Sequence, residues 1–228
     1  MTFDALLDWF DEGCSHAVAD KVRPGGSLMF CEATNHLVAV EPRLRAIIER
    51  AGPHGLGPRR GRYAALCRSI VGQQLSTRAA ATIYGRFQSA CGGRVTPARV
   101  AALSDAEMRK AGFSGAKVAS VRDLTEAVLS GRLRLNGLGR LSEEEVAAQL
   151  LPIRGIGPWS VDMFLMFVLG RPDVLPVGDL GIQNALVRMY GLRKRPAPQR
   201  MVALTRTWRP YRSVGSWYLW RSLEAEPL

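Results

Sequence analysis

Between Ser142 and Phe167 the chain spells two short helices with almost no room between them. Ser142-Glu-Glu-Glu145 reads as a capping box that opens a helix running to about Leu150, and Pro158 suits the first position of the next. Only Leu151-Pro-Ile-Arg-Gly-Ile-Gly157 remains as the connection, so the two helices are expected to fold back as a hairpin within about 142–169. Gly155 and Gly157 permit backbone angles closed to other residues and keep side chains clear of an approaching ligand. Ile156 between them is placed to anchor the turn between the helices. The N–H groups of such a turn, with those of the next helix's first turn, suit a phosphate oxygen. An ordinary helix–helix turn is the competing reading of the three residues alone.

The rest of the chain repeats the same helical vocabulary. Ser104-Asp-Ala-Glu107 is a second capping box, and Thr96-Pro97 puts a cap before a first-turn proline. Ala64, Leu66, Cys67, Ile70 and Val71 recur at helical spacing, as do Val118, Val121, Leu124, Ala127 and Val128. Strand signals are thin: Ser27–Cys31 and Leu37–Val40 are short apolar runs whose type periodicity does not decide. The expectation is an all-α protein of about ten helices, joined by short Gly/Pro punctuation such as Gly52–Pro58.

Composition narrows the class. With 228 residues and 47% apolar residues the chain can bury a real core in one large or two small domains. No apolar run is long enough for a bilayer, and Met1–Phe10 lacks the basic start of an export signal. A cytoplasmic protein is expected. Cys14, Cys31, Cys67 and Cys91 are scattered without zinc or iron–sulfur spacing, and His16, His36 and His54 are isolated. They read as reduced structural thiols and isolated imidazoles, with no zinc and no iron–sulfur cluster.

The net charge is +11 but unevenly spread. Residues 1–40 hold six acids and two bases, whereas Leu180 to Leu223 holds nine Lys or Arg and no acid. A surface built from the latter attracts a polyanion. Just before it, Asp179 sits where a helix cap would sit, and capping is its plain reading. The chemical alternative is a fixed carboxylate facing a sugar that develops oxocarbenium character as a glycosidic bond breaks. Along the second hairpin helix, Val161, Phe164, Leu165 and Val168 follow core spacing, while Trp159, Met163 and Met166 form another stripe, a candidate pocket wall.

Taken together, Leu-Pro-x-x-Gly-Ile-Gly-Pro-Trp159 and Leu-Pro-Val-Gly-Asp179 resemble the helix-hairpin-helix DNA glycosylases with a Gly/Pro-rich stretch and an Asp. The 3-methyladenine DNA glycosylase II (AlkA-like) branch is the most similar. Ile70-Val-Gly-Gln-Gln-Leu-Ser76, Ala111-Gly-Phe-Ser-Gly-Ala-Lys117 and Trp208-Arg-Pro-Tyr-Arg-Ser213 agree, so the likeness spans roughly Arg43 to Arg221. It implies two helical subdomains, in a core of residues 41–228, with an active-site cleft between them. Residues 1–40 would be an extension packing on that core.

The resemblance also distributes roles. Asp179 would be the catalytic acid; Gly155, Ile156 and Gly157 would bind a backbone phosphate; and Gln74 would fill the gap left by the flipped nucleotide. Trp159, Met163 and Trp220 would line the substrate pocket, core packing beside Trp217 being the other reading of Trp220. The carbonyls of Leu151, Ile153 and Ile156 would hold a monovalent cation, Na+ or K+. Lyase-competent relatives have a lysine where this chain has Trp159, so no Schiff base forms there and the enzyme would be monofunctional. Met163 stands where the most similar relatives have a tyrosine.

The expected partner is double-stranded DNA carrying damaged bases such as 3-methyladenine and 7-methylguanine, met by a monomer in the cytoplasm at the nucleoid. Two rival readings are a non-catalytic hairpin module and a glycosylase for oxidised or deaminated bases. Gln73-Gln74, Trp159 and Asp179 together argue against the first. The missing lysine and cysteine run argue against the second.

Overall fold

The computed structural model describes residues 26–224 of the chain, and every regular element among them is a helix. The all-α expectation holds, with twelve α-helices and three short 3₁₀ segments among the described residues. The two undecided apolar runs, Ser27–Cys31 and Leu37–Val40, are parts of one helix, α1 (Gly26–Val40). Residues 1–25 of the expected extension lie outside the described residues. No helix among those described is long and apolar enough to cross a membrane.

The chain forms two compact units. Pro58–Leu169 is one uninterrupted stretch, and the other unit is made of the described residues before Pro58 and after Leu169.

The Pro58–Leu169 unit is organised on α3 (Arg62–Gly72), which buries Tyr63, Leu66, Cys67, Ile70 and Val71. That spacing puts one apolar stripe against its neighbours α4 (Thr77–Ala90), α7 (Gly115–Leu129) and α9 (Pro158–Phe167). The short helices α5 (Pro97–Ala102) and α6 (Asp105–Ala111) pack on α7, and α8 (Glu143–Leu150) packs on α9. Both capping boxes form: Ser104 and Ser142 accept from the Glu107 and Glu145 N–H groups, and both glutamates accept from the serine N–H at 2.7 Å. Cys67 and Cys91 are buried free thiols, and burial pushes Cys67 up to about 12, which leaves it protonated and inert. Where this stretch begins and ends, the Arg59 N–H donates to the Val168 carbonyl at 2.9 Å.

Helix α9 departs from the two-stripe expectation. Met163 and Met166 are as fully buried as Phe164 and Leu165, and only Trp159 and Asp162 keep partial exposure after Pro158. A helix apolar nearly all round is a core helix, and α9 is buried along almost its whole length.

The second unit contains α1, α2 (Arg45–Ala51), α10 (Leu180–Tyr190), α11 (Pro198–Leu204) and α12 (Arg212–Glu224). Helix α12 packs on α10, α2 and α1, and every residue from Arg212 to Trp220 is buried. Its polar start is matched by the chain ahead of α10. The Arg212 guanidinium donates to Asp173 Oδ1 and Oδ2 at 2.7 and 2.9 Å, and again to the Asp173 carbonyl at 2.8 Å. Ser213 Oγ donates to the Arg171 carbonyl and receives the Val174 N–H. Gly215 lies flat on the fully buried Trp208 ring, where a Cβ would overlap the indole.

His54 supplies a pH-dependent contribution to this unit. Its ring is edge-on to Trp217, Nδ1 accepts the Leu56 N–H, and burial lowers its pKa from 6.5 to about 4. The unfolded chain therefore binds the proton that the folded one refuses, so stability falls as pH drops from 6.5 toward 4. Between pH 7 and pH 5 the loss is expected to be about 2 kcal/mol. Urea midpoints of wild type and His54→Leu at the two pH values check it: the variant should lose less.

Candidate active site

The connection between α8 and α9 is as short as its sequence requires. Ile153 and Ile156 point into their unit, 2% and 6% exposed, and the Ile156 N–H closes the turn on the Ile153 carbonyl at 3.0 Å. The expected anchoring role of Ile156 is thus met. Gly155 has φ +79°, and a Cβ there would sit 2.5 Å from Ser120 Oγ, so both conformation and space demand glycine. Gly157 differs: φ is −106°, and nothing lies within 4 Å of where its Cβ would be. The fold does not need glycine there, and its bare backbone leaves the start of α9, which no side chain caps, open to approach.

Two side chains fix this turn and a third fixes the end of α3, tasks that the sequence does not announce. The Gln73 carboxamide donates to the Gly155 carbonyl at 2.6 Å. Asp123, on α7, accepts the Arg154 N–H at 2.7 Å and Arg132 at 2.6 Å. Partial burial works against the Asp123 charge, but these donors outweigh it and hold the carboxyl below its ordinary range. Lys117 donates to the Val71 carbonyl at 2.7 Å and so holds the C-terminal end of α3 beside the same turn.

Gln74 follows immediately, exposed, with φ +58°. It is the one non-glycine residue with positive φ among those described. A side chain held out in the left-handed region carries local strain that its surroundings must sustain. Gln73, fastened next to it, is the obvious support. Trp159 is half-buried in the first turn of α9, and Met163 is fully buried one turn on.

The Leu151, Ile153 and Ile156 carbonyls are neutral oxygens, a donor type that suits a monovalent hard cation. The Ile153 oxygen also accepts the Ile156 N–H, which leaves its second lone pair for such an ion. These residues fit the group.

The second unit holds Asp179 and Trp220. Asp179 is the N-cap of α10: Oδ1 accepts the Ile182 N–H at 2.8 Å, as its plain reading requires. The same oxygen accepts the Trp220 indole N–H at 2.9 Å. Trp220 is only 5% exposed, and Asp179 is half-exposed. Capping and chemistry are therefore not alternatives at this residue, because the cap fixes the carboxylate in one orientation. Of the nine bases between Leu180 and Leu223, Arg212 is buried on Asp173 and Arg221 is paired with Glu224 at 2.6 Å. The other seven are exposed and make this part of the unit's surface cationic.

A family model described as "HhH-GPD superfamily base excision DNA repair protein" matches residues 67–210. The chain is 37% identical over 169 residues to a putative DNA-3-methyladenine glycosylase of Bacillus subtilis, with 71% of this chain aligned. It spans 59% of that relative's length. Among solved structures, a DNA-3-methyladenine glycosidase from Bacillus halodurans superposes with a TM-score of 0.75 at 37% identity, covering 85% of this chain and 89% of that one. The Schizosaccharomyces pombe 3-methyladenine DNA glycosylase in complex with abasic DNA gives 0.76 at 32% identity, covering 85% and 97%.

Proposed function

Since this chain belongs to the HhH-GPD superfamily of base excision DNA repair proteins, we propose that it hydrolyses the N-glycosidic bond of alkylated bases in double-stranded DNA, such as 3-methyladenine and 7-methylguanine. The observation that carries the reading is the Asp179 carboxylate held through one oxygen by two N–H donors. Its 37% identical relatives with 3-methyladenine glycosylase names support the substrate class.

The steps follow from the residues. Gly155–Gly157 and the first-turn N–H groups of α9 take a DNA backbone phosphate, a contact that positions and reads no base. The Leu151, Ile153 and Ile156 carbonyls would hold Na+ or K+, which supplies positive charge beside that phosphate. Gln74 enters the stack vacated by the extruded nucleotide, and flipping costs least for a lesion that pairs badly. Trp159 offers an aromatic face to a cationic alkylated base. The C1′–N bond breaks with its electron pair leaving on the base, which departs neutral. Asp179 Oδ2 faces the oxocarbenium carbon; water adds to C1′ and gives its proton to that carboxylate, which passes it on to solvent. With Trp159 in place of an amine no Schiff base forms, so the product is an unbroken abasic strand. The protein acts as a monomer in the cytoplasm.

The test is direct. Purified protein incubated with methylated duplex DNA should free 3-methyladenine and 7-methylguanine, identified by chromatography, without nicking the strand. Tight DNA binding with no base released would make the chain a hairpin module and overturn the reading.

A further inference from the structure

Gly181 is a glycine without a conformational reason. It lies in the first turn of α10 with ordinary helical φ, where alanine is favoured over glycine by helix propensity. What sets it apart is its neighbourhood. A Cβ on Gly181 would stand 3.0 Å from Asp179 Oδ1 and 3.0 and 3.1 Å from Trp220 Cδ1 and Nε1. The missing methyl is the space through which the indole reaches the carboxylate. Neither partner has a way to retreat, since Oδ1 is also held by the Ile182 N–H and Trp220 is packed in the buried run of α12.

We propose that Gly181 and Trp220 are positioning residues for Asp179, and that Trp220 works through its N–H on Oδ1 rather than as a stacking wall for the base. This rests on the catalytic reading of Asp179. Two donors on Oδ1 fix both torsions of the side chain and aim Oδ2 in one direction, as a carboxylate must be aimed to meet a cation that exists only in the transition state. Losing one donor to an ionised acceptor lets the group rotate and takes its preorganisation with it.

Single-turnover excision from a 7-methylguanine duplex, with affinity for abasic-site DNA measured alongside, tests it. Trp220→Phe keeps an aromatic face and removes the N–H. It should slow excision about 10- to 100-fold with abasic-DNA affinity within about twofold of wild type. Gly181→Ala, which keeps both partners and only crowds their contact, should slow excision about 10-fold with abasic-DNA affinity within about twofold of wild type. The double variant should be no slower than the slower single one, because both disable the same contact. Wild-type rates in Trp220→Phe or Gly181→Ala, or fully multiplicative losses in the double variant, overturn the proposal. Asp179→Asn serves as the reference: if it is inactive while both other variants are fast, only the positioning inference fails, and if it is active the catalytic reading fails with it.

Discussion

Asp179→Asn is expected to release alkylated bases about a thousandfold more slowly than wild type while binding abasic-site DNA within a few-fold of it. The exchange is nearly isosteric, and the amide oxygen still accepts the Ile182 and Trp220 N–H groups that Oδ1 now receives. The helix cap and local packing therefore persist, and what is lost is the negative charge opposite the developing sugar cation. Single-turnover excision and fluorescence anisotropy with an abasic analogue separate the two quantities. Near-normal excision would remove Asp179 from the chemistry, whereas loss of binding together with excision would mean that the substitution disturbed the fold.

The second large effect is on stability and centres on Arg212. Its guanidinium grips both oxygens of Asp173 and the carbonyl of the same residue, and its side chain is only 10% exposed. Removing the guanidinium leaves the Asp173 carboxylate with only the exposed Arg209 at 3.5 Å and the residue 212 N–H at 3.2 Å, so Arg212→Leu should lose about 3 kcal/mol of unfolding free energy. Lysine cannot reproduce a planar fork and should recover only part. The double variant Asp173→Leu/Arg212→Leu should be more stable than Arg212→Leu alone, since no weakly compensated carboxylate remains. Urea midpoints of the set decide it, and a double variant weaker than the single would refute the ion-pair account. Excision should fall too, because Asp173 stands six residues before Asp179 and Arg212 eight before Trp220, so the clamp fixes the register of both.

Some of this was legible in the amino acids alone. The capping boxes at Ser104 and Ser142 depend on contacts within a few residues, and local chemistry writes them out in full. Asp179 as an N-cap was visible for the same reason. The turn at Gly155–Gly157 was visible from its glycines, without what holds it. Helix α12 was not: Arg-Ser-Val-Gly-Ser-Trp217 shows no apolar stripe, and it is buried because Asp173, Arg171 and Trp208 supply matching partners from elsewhere in the chain. The Met163 and Met166 stripe of α9 suggested a second face, but a helix surrounded on all sides leaves no polar side to mark its orientation. The supports of the turn escaped as well. Gln73 and Asp123 act across 82 and 31 residues of sequence, and nothing about a glutamine beside another glutamine says which carbonyl it will reach. Gly181 carried the one overlooked local signal, a glycine in a helical first turn two residues after the candidate acid.

The hydrogen bond from Arg59 to Val168 joins the two ends of a single run that contains Gln74, Asp123 and Gly155–Gly157. Entry and exit are already neighbours, like the two ends of a plug-in cartridge. Such a piece of gene can be duplicated, swapped or redesigned through two adjacent joints. Changes in the hairpin turn and its supports can thus accumulate in one continuous block while the sequence that carries the carboxylate stays untouched.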